Sequence, residues 1–342
     1  MPDEPTILRA TGEPRDHHRP GGFRNPWPGP ADTVDPVQAA RWAATWITTR
    51  RAPARTPRVA LATADLAAPA SGVRVTWLGH ASLLVRSAGA TILVDPVFSS
   101  RVSPVSFAGP ARMVALPVEP EALPPVETVL VTHDHYDHLD AATVRRLHRV
   151  SRPLFVCPLG VAAWLRAHVA RDVRVAELDW WDAADLDSGV RVTATPTKHF
   201  SGRRLDNRNG TLWCGYHLAF PDGTIVHNVG DTAAAPVFAD VARRLPQADL
   251  AVVPIGAYSP RWMMARVHVD PEEALDVFKQ TGARAMVATH WGTFPLADEP
   301  SDEPPARLLA EAERRGIAAR VLVLPVGGQT TAGPTAATSP AG

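Results

Sequence analysis

A short segment, TVLVTHDHYDHLD, constrains the fold and the chemistry of this chain more than any other part of its sequence. It places His133, His135, Asp137 and His138 directly after the apolar, β-branched run ETVLVT, which is typical of a buried strand. In a tight loop, alternate side chains can turn towards one point, while the adjacent Asp137 and His138 reach a neighbouring point. The spacing therefore predicts a strand-end loop that binds two metal ions close together.

Four side chains do not complete two metal sites, so further ligands must come from other strand ends. Three candidates follow apolar, strand-like runs: His199 in TATPTKHF, Asp231 in HNVGDT and His290 in MVATHWG. All seven candidate ligands offer nitrogen or oxygen donors, which suit zinc and also iron or manganese. We therefore expect two divalent metal ions, with zinc as the first choice. A structural role is predicted for six other histidines: His17, His18, His148, His168, His217 and His227.

The order of predicted elements indicates the fold class. Short strand-like runs separated by turns begin at Val73, and strands then alternate with helical segments in two successive stretches. This order predicts an α/β fold in which two sheets pack face to face with helices outside. The run VDPEEALDVFKQTG predicts a helix with Asp270 as its N-cap, Pro271 in its first turn and Gly282 at its end.

The two ends of the chain differ in composition from the centre. Residues 1–35 are rich in proline, glycine and charge, which predicts an extended arm that could pack on a folded domain through Phe23 and Trp27. Residues 329–342 are of low complexity, which predicts a disordered tail. The main folded domain is therefore expected over residues 36–328.

Composition disfavours some partners and compartments. Lysine plus arginine and aspartate plus glutamate both total 35, so the basic surplus of a typical nucleic-acid-binding protein is missing. The sequence contains no apolar stretch suited to a secretory signal and no run near the ~18 apolar residues that cross a bilayer. We expect a cytoplasmic protein, with peripheral contact at the inner membrane surface left open.

Cys157 and Cys214 lie in apolar runs and are expected to be buried free thiols.

The motifs resemble those of a known family. The string HDHYDHLD with its downstream His, Asp and His resembles the metallo-β-lactamase superfamily, which implies an αββα four-layer sandwich around a dinuclear metal centre. Longer strings, among them WLGHASLLV, VDPVFSSRVSP, THWGTFPLADEP and the arm segment GGFRNPWP, resemble the N-acylphosphatidylethanolamine-hydrolysing phospholipase D family. This second resemblance extends from about Gly21 to Leu309 and favours a homodimer.

The resemblance also implies a role for individual residues. It divides the ligands into His133, His135 and His199 for one metal, Asp137, His138 and His290 for the other, and Asp231 as a bridge together with a hydroxide. His268, in ARVHVDPEE, falls where the family has an active-site histidine. It would orient the phosphate or protonate the leaving group, and a structural role near a helix start is the alternative. His80 and Asp95 are expected to support the ligands from behind.

A phospholipid substrate would need an apolar groove beside the metals. Candidates for substrate contacts are Tyr136, Trp262, Met263 and Met264. The alternative for these side chains is packing in the core or at a dimer interface. The neighbouring Arg261 and Arg266 could attract an anionic head group.

The leading functional hypothesis is a phosphodiesterase that hydrolyses N-acylphosphatidylethanolamine-like phospholipids to N-acylethanolamine and phosphatidic acid. The expected step is attack of the bridging hydroxide on phosphorus. One alternative is a metal-dependent hydrolase of a soluble substrate, either a lactonase or another phosphodiesterase. Action on RNA is disfavoured by the neutral charge. An iron-dependent oxidoreductase and a non-catalytic metal-binding module are the remaining alternatives.

Overall fold

Two mixed β-sheets form the centre of the computed structural model, which describes residues 5–12, 15–27, 35–48, 56–61, 66, 70–204 and 206–333. The strands are β1 (Thr6–Leu8), β2 (His18–Arg19), β3 (Gly22–Phe23), β4 (Val73–Gly79), β5 (Ser82–Arg86), β6 (Thr91–Val94), β7 (Thr128–Leu130), β8 (Leu154–Pro158), β9 (Val175–Leu178), β10 (Ala183–Asp185), β11 (Arg191–Thr195), β12 (Gly215–Ala219), β13 (Ile225–Asn228), β14 (Leu250–Pro254), β15 (Ala285–Thr289), β16 (Val321–Leu322) and β17 (Gln329–Ala332). The seven-stranded sheet has the order β17-β4-β5-β6-β7-β8-β9, and the eight-stranded sheet has the order β1-β10-β11-β12-β13-β14-β15-β16.

The described part of the chain contains seven α-helices. They are α1 (Pro36–Thr48), α2 (Ala141–Ser151), α3 (Val161–His168), α4 (Val237–Arg244), α5 (Arg261–Met264), α6 (Pro271–Thr281) and α7 (Glu303–Arg314), with 3-10 turns at Pro120–Ala122 and Ala318–Arg320. The predicted start and end of α6 are confirmed, because Asp270 and Glu273 form a reciprocal capping box and Gly282 closes the helix with φ 67°. Among the described residues, no helix combines the length and the apolar character needed to cross a bilayer.

The strand side chains divide between two cores. Leu83 and Val85 of β5 join the core between the sheets, whereas Leu84 points the other way and packs with Val144 of α2 and Leu165 of α3. Successive strand residues face opposite sides of a sheet, so a strand buried on both faces is apolar throughout. The predicted two-sheet α/β architecture, with helices outside, is therefore confirmed. Cys157 and Cys214 are buried free thiols, as expected.

The prediction of disorder from residue 329 onward was wrong for the first part of that segment. Gln329–Ala332 forms β17 and pairs antiparallel with β4, with Ala332 buried. A polar edge strand obtains its stability from backbone hydrogen bonds, so the sequence QTTA carries no apolar signal. Residues 334–342 lie outside the described residues. The arm packs on the folded domain through Phe23 and Trp27, as expected, and β1 also pairs with β10 and so extends the eight-stranded sheet beyond the expected domain limit at residue 36.

Removal of β17 is expected to destabilise the fold. A chain ending at residue 328 loses the β17–β4 hydrogen bonds and the burial of Ala332, and we expect a loss of about 2–3 kcal/mol in the free energy of unfolding. A chain ending at residue 333 keeps the strand and is the control. Urea unfolding of both proteins measures the difference. Equal midpoints for the two would show that β17 does not stabilise the domain.

Candidate metal centre

The loop after β7 turns tightly and then enters α2. The backbone N–H groups of His138 and Leu139 both donate to the carbonyl oxygen of His135, at 3.1 and 2.8 Å. Asp140 follows as the N-cap of α2 and accepts from the N–H of Ala142. The turn therefore lets alternate side chains of the HDHYDH segment face one point, as the spacing predicts.

Three histidine ring nitrogens converge at the first point. His133 Nε2 lies 2.8 Å from His135 Nδ1, and His199 Nε2 lies 3.4 Å from the same atom. Zinc–nitrogen bonds of ~2.0 Å at tetrahedral angles would place two ligand nitrogens roughly 3.3 Å apart. The three side chains therefore have the separation that one shared cation requires.

A second group lies beside the first. Asp137 Oδ2 is 3.6 Å from His138 Nε2 and 3.7 Å from His290 Nε2. His80 Nε2 also approaches Asp137 Oδ2, at 2.9 Å. These atoms form a second candidate set of metal ligands, in which His80 either supports the carboxylate or joins the ligands.

Asp231 lies between the two groups. Its Oδ2 atom is 3.2 Å from His138 Nε2 and 3.1 Å from His290 Nε2, on one side. On the other side it is 3.8 Å from His199 Nε2. A single carboxylate that reaches both groups has the geometry of a bridging ligand. The structure thus brings together all seven residues for which metal ligation was predicted.

The unsatisfied polar atoms of this cluster fit metal ions. Although Asp231 Oδ2 is close to the buried Nε2 atoms of His138 and His290, neither atom forms a well-oriented hydrogen bond with any of the described residues. Buried ring nitrogens without a partner are costly, and a cation would satisfy their lone pairs. The nitrogen and oxygen donor set suits zinc, iron or manganese.

Burial sets the protonation of the ligand histidines. It lowers the pKa of His135 to about 4 and that of His199 to about 3, so both imidazoles are neutral at neutral pH and offer a lone pair. Burial also acts on His290, but the carboxylates of Asp231 and Asp137 outweigh it and raise the pKa to about 9. A cation at this position would replace that proton, because metal binding requires a deprotonated ligand.

Hydrogen bonds behind the ligands fix the orientation of their rings. His138 Nδ1 donates to Asp95 Oδ2 at 2.7 Å, and His199 Nδ1 donates to the carbonyl of Val267 at 2.8 Å. Both bonds leave Nε2 directed at the cluster. The supporting positions expected for Asp95 and His80 agree with this geometry. Gly256 is needed nearby, because a Cβ there would lie 2.0 Å from the carbonyl oxygen of His290.

A cavity of about 370 Å³ opens beside the cluster. Met263 and Met264, which were predicted to contact substrate, line it together with His268. Its other apolar and polar walls come from residues that the sequence did not single out as candidates: Asn25, Trp42, Phe200, Arg208, Asn209, Val267 and Leu296. Arg266, which the sequence suggested could attract an anionic head group, also lines the cavity.

Other candidates for substrate contact lie elsewhere. Tyr136 is not among the described residues that line the cavity; its hydroxyl donates to the carbonyl of Arg203 at 3.0 Å, and its ring lies 4.0 Å from the Arg203 guanidinium. It therefore packs against the segment that follows His199. Trp262 is 42% exposed and also lies outside the lining. Arg261 bonds Glu273 and the carbonyl of His268, so it holds α5 to α6.

His268 stands at the boundary between the cluster and the cavity. Its ring centre is 5.1 Å from that of His199 and 5.3 Å from that of His290, and its Nδ1 lies 3.9 Å from Asp231 Oδ2. This buried Nδ1 has no hydrogen-bond partner among the described residues, and burial lowers the pKa of His268 to about 3. A neutral imidazole beside the ligands can contact a substrate or act as a further ligand.

Two mixed sheets with helices outside, and a His/Asp cluster collected at strand ends, define a metal-dependent hydrolase of the metallo-β-lactamase fold. Residues 90–291 match the family described as the Beta-lactamase superfamily domain. The chain therefore belongs to the β-lactamase superfamily.

Relatives support this assignment. An uncharacterized protein of Mycobacterium tuberculosis is 38% identical over 94% of this chain and 86% of its own length. N-acyl-phosphatidylethanolamine-hydrolyzing phospholipase D 1 of Caenorhabditis elegans is 38% identical over 68% of each chain. Among solved structures, the metallo hydrolase Igni18 of Ignicoccus hospitalis shares the fold, with a TM-score of 0.57 and 22% identity over 76% of this chain and 97% of its own.

Proposed function

We propose that this protein is a phosphodiesterase that hydrolyses N-acylphosphatidylethanolamine-like phospholipids to N-acylethanolamine and phosphatidic acid, with two divalent metal ions, zinc first among them. The observation that carries the proposal is the apolar cavity directly beside the candidate metal ligands. The 38% identity to the phospholipase D of Caenorhabditis elegans supports the same substrate class.

The chemistry of the cavity suits an amphipathic phosphodiester. Its apolar lining includes Met263, Met264 and Phe200, and histidine and aspartate side chains of the cluster also line it. Each acyl methylene that such a wall buries contributes about 0.8 kcal/mol. Arg208 and Arg266 add positive charge to the lining, which complements an anionic head group. A lipid would therefore place its phosphate at the cluster and its chains along the apolar wall.

The metal ligands, their hydrogen-bond partners and His268 have different roles in the proposed hydrolysis. When bound, two divalent metals lower the pKa of water and stabilise the negative charge that develops on phosphoryl oxygens. The Asp95 and Val267 hydrogen bonds hold the ligand rings in place before substrate arrives. His268, at the cavity boundary and neutral at neutral pH, orients a phosphoryl oxygen by donating a hydrogen bond from its ring N–H.

The proposal is tested with a charge placed in the apolar wall. Met264→Glu is expected to lower hydrolysis of vesicle-borne N-acylphosphatidylethanolamine by about 10²-fold, because an unpaired carboxylate is costly beside a lipid chain. Hydrolysis of the small soluble diester bis(p-nitrophenyl) phosphate is expected to stay within about threefold, since that substrate needs no apolar wall. Mass spectrometry of the released N-acylethanolamine and phosphatidic acid provides the measurement.

Leu309→Glu is the matched control, because this exposed leucine on α7 lies outside the cavity lining. It should leave both activities unchanged. The lipid assignment fails if the metal-loaded wild type cleaves a soluble diester or a lactone but no N-acylphosphatidylethanolamine. It also fails if Met264→Glu lowers both activities equally.

A further inference from the structure

Two buried carboxylates attach the N-terminal arm, residues 5–27, to the folded domain. Asp179 and Asp182 lie in the turn between β9 and β10. Asp179 accepts hydrogen bonds from Nε2 of His17 at 2.7 Å and Nε2 of His18 at 2.8 Å. Asp182 accepts from a side chain and a backbone N–H of the segment that follows β1. Specific hydrogen bonds therefore attach both described parts of the arm, residues 5–12 and 15–27, to the folded domain.

The β2–β3 hairpin then brings the arm against the segment that carries His199. The N–H of Phe23 donates to the carbonyl of Asn209 at 2.8 Å. A Cβ on Gly22 would lie 2.1 Å from that same oxygen, so only glycine permits this approach. Trp27 stacks on Trp180 with ring centres 5.3 Å apart. The arm thus contacts both the β9–β10 turn and the segment that follows His199.

The contact of the arm with the candidate metal centre is made by Asn25. Its Nδ2 donates to the backbone carbonyl of His199 at 2.9 Å, and its side chain lines the cavity. The ring of His199 is held separately, by the bond from Nδ1 to Val267. The backbone and the imidazole of this one candidate ligand are therefore fixed from two sides.

We infer that Asn25 is a positioning residue for His199, and that the arm thereby stabilises the geometry of the candidate metal centre. The inference rests on the proposed metal binding by His133, His135 and His199. Loss of the Asn25 bond would leave the His199 carbonyl without this partner and free the segment that follows it. Substitution of such an outer partner typically lowers metal affinity about 10–100-fold, and we expect the lower end because the bond is to the main chain.

The test uses cobalt(II) as the probe, bound to the full-length apoprotein and followed by its visible absorption in competition with a chelator. Asn25→Leu keeps a similar volume and removes the donor. It is expected to weaken one of two cobalt ions by about tenfold and to shift the absorption of that ion. Arg19→Ala, an exposed arm substitution, is the control and should match the wild type. Wild-type affinity and spectrum in Asn25→Leu would overturn the inference.

Asp179→Asn tests whether attachment of the arm supports the candidate metal centre, at a residue that does not line the cavity. Weakening its bonds to His17 and His18 should speed tryptic cleavage within the arm and lower cobalt affinity at the same ion as Asn25→Leu. Faster cleavage with unchanged cobalt binding would contradict the role of the arm. If the wild type itself binds no pair of cobalt ions, the proposed metal centre fails. If it binds two and both variants do so equally well, only the present inference fails.

Discussion

Asp231→Asn is expected to lower kcat/KM by about 10³-fold towards any substrate of this protein. Asp231 Oδ2 is the atom that approaches ligands of both candidate metal groups, at 3.1 to 3.8 Å. An amide keeps the shape but removes the negative charge that would hold two cations close together. A loss of about 4 kcal/mol in transition-state stabilisation corresponds to that factor. Initial rates with bis(p-nitrophenyl) phosphate and with N-acylphosphatidylethanolamine provide the measurement.

The matched control for this prediction is Asp249→Asn. Asp249 is also buried and precedes β14 at the edge of the sheet opposite the cluster, where it accepts from the N–H of Ile225. This substitution should lower stability and leave kcat/KM unchanged. Retention of more than about a tenth of wild-type activity in Asp231→Asn would contradict a bridging role for this carboxylate.

The second large effect is expected for His268→Asn, with a decrease in kcat of about 10²-fold. His268 lines the cavity and its Nδ1 lies 3.9 Å from Asp231, so it can reach both substrate and cluster. Because the seven other residues complete two ligand sets, we expect metal content to stay unchanged in this variant. Steady-state kinetics combined with elemental analysis of the purified protein distinguishes the two effects.

His217→Asn is the corresponding control, since His217 is buried in β12 of the eight-stranded sheet and its Nε2 donates to the carbonyl of Pro246. It should change stability and leave kcat at the wild-type value. If His268→Asn loses metal in parallel with activity, then His268 acts as a ligand, in the group that it forms with His199 and Asp231. That result would replace the assigned role in catalysis.

The candidate ligands could be predicted because their position follows from local rules. His133 follows β7 of the seven-stranded sheet, whereas Asp231 and His290 follow β13 and β15 of the eight-stranded sheet. Each comes directly after an apolar run, and the cluster lies where strand ends of the two sheets meet. The spacing of histidine and aspartate in the HDHYDH segment indicated the ligands within that loop. Burial of the strands between two cores is equally visible in their apolar composition.

The walls of the cavity could not be predicted in the same way. Trp42, Phe200 and Leu296 come from three segments distant in sequence, and only the tertiary fold brings them together. For Tyr136 the sequence left substrate contact and packing as alternatives, because the direction of a side chain in a tight loop depends on its partner, here Arg203. Asn25 lies in the string GGFRNPWP that contributes to the family resemblance, but its contact with His199 could not be predicted, since a single polar residue in a proline-rich arm is compatible with solvent exposure.

The most direct test of the metal centre is the number of metal ions bound per chain. Elemental analysis of protein purified without chelators, and again after reconstitution with zinc, would measure it. We expect two ions per chain, and a clear loss of bound metal in a variant that combines Asp231→Asn with His290→Ala. One ion or none in the wild type, or two ions retained in the double variant, would contradict the assignment of these side chains as ligands.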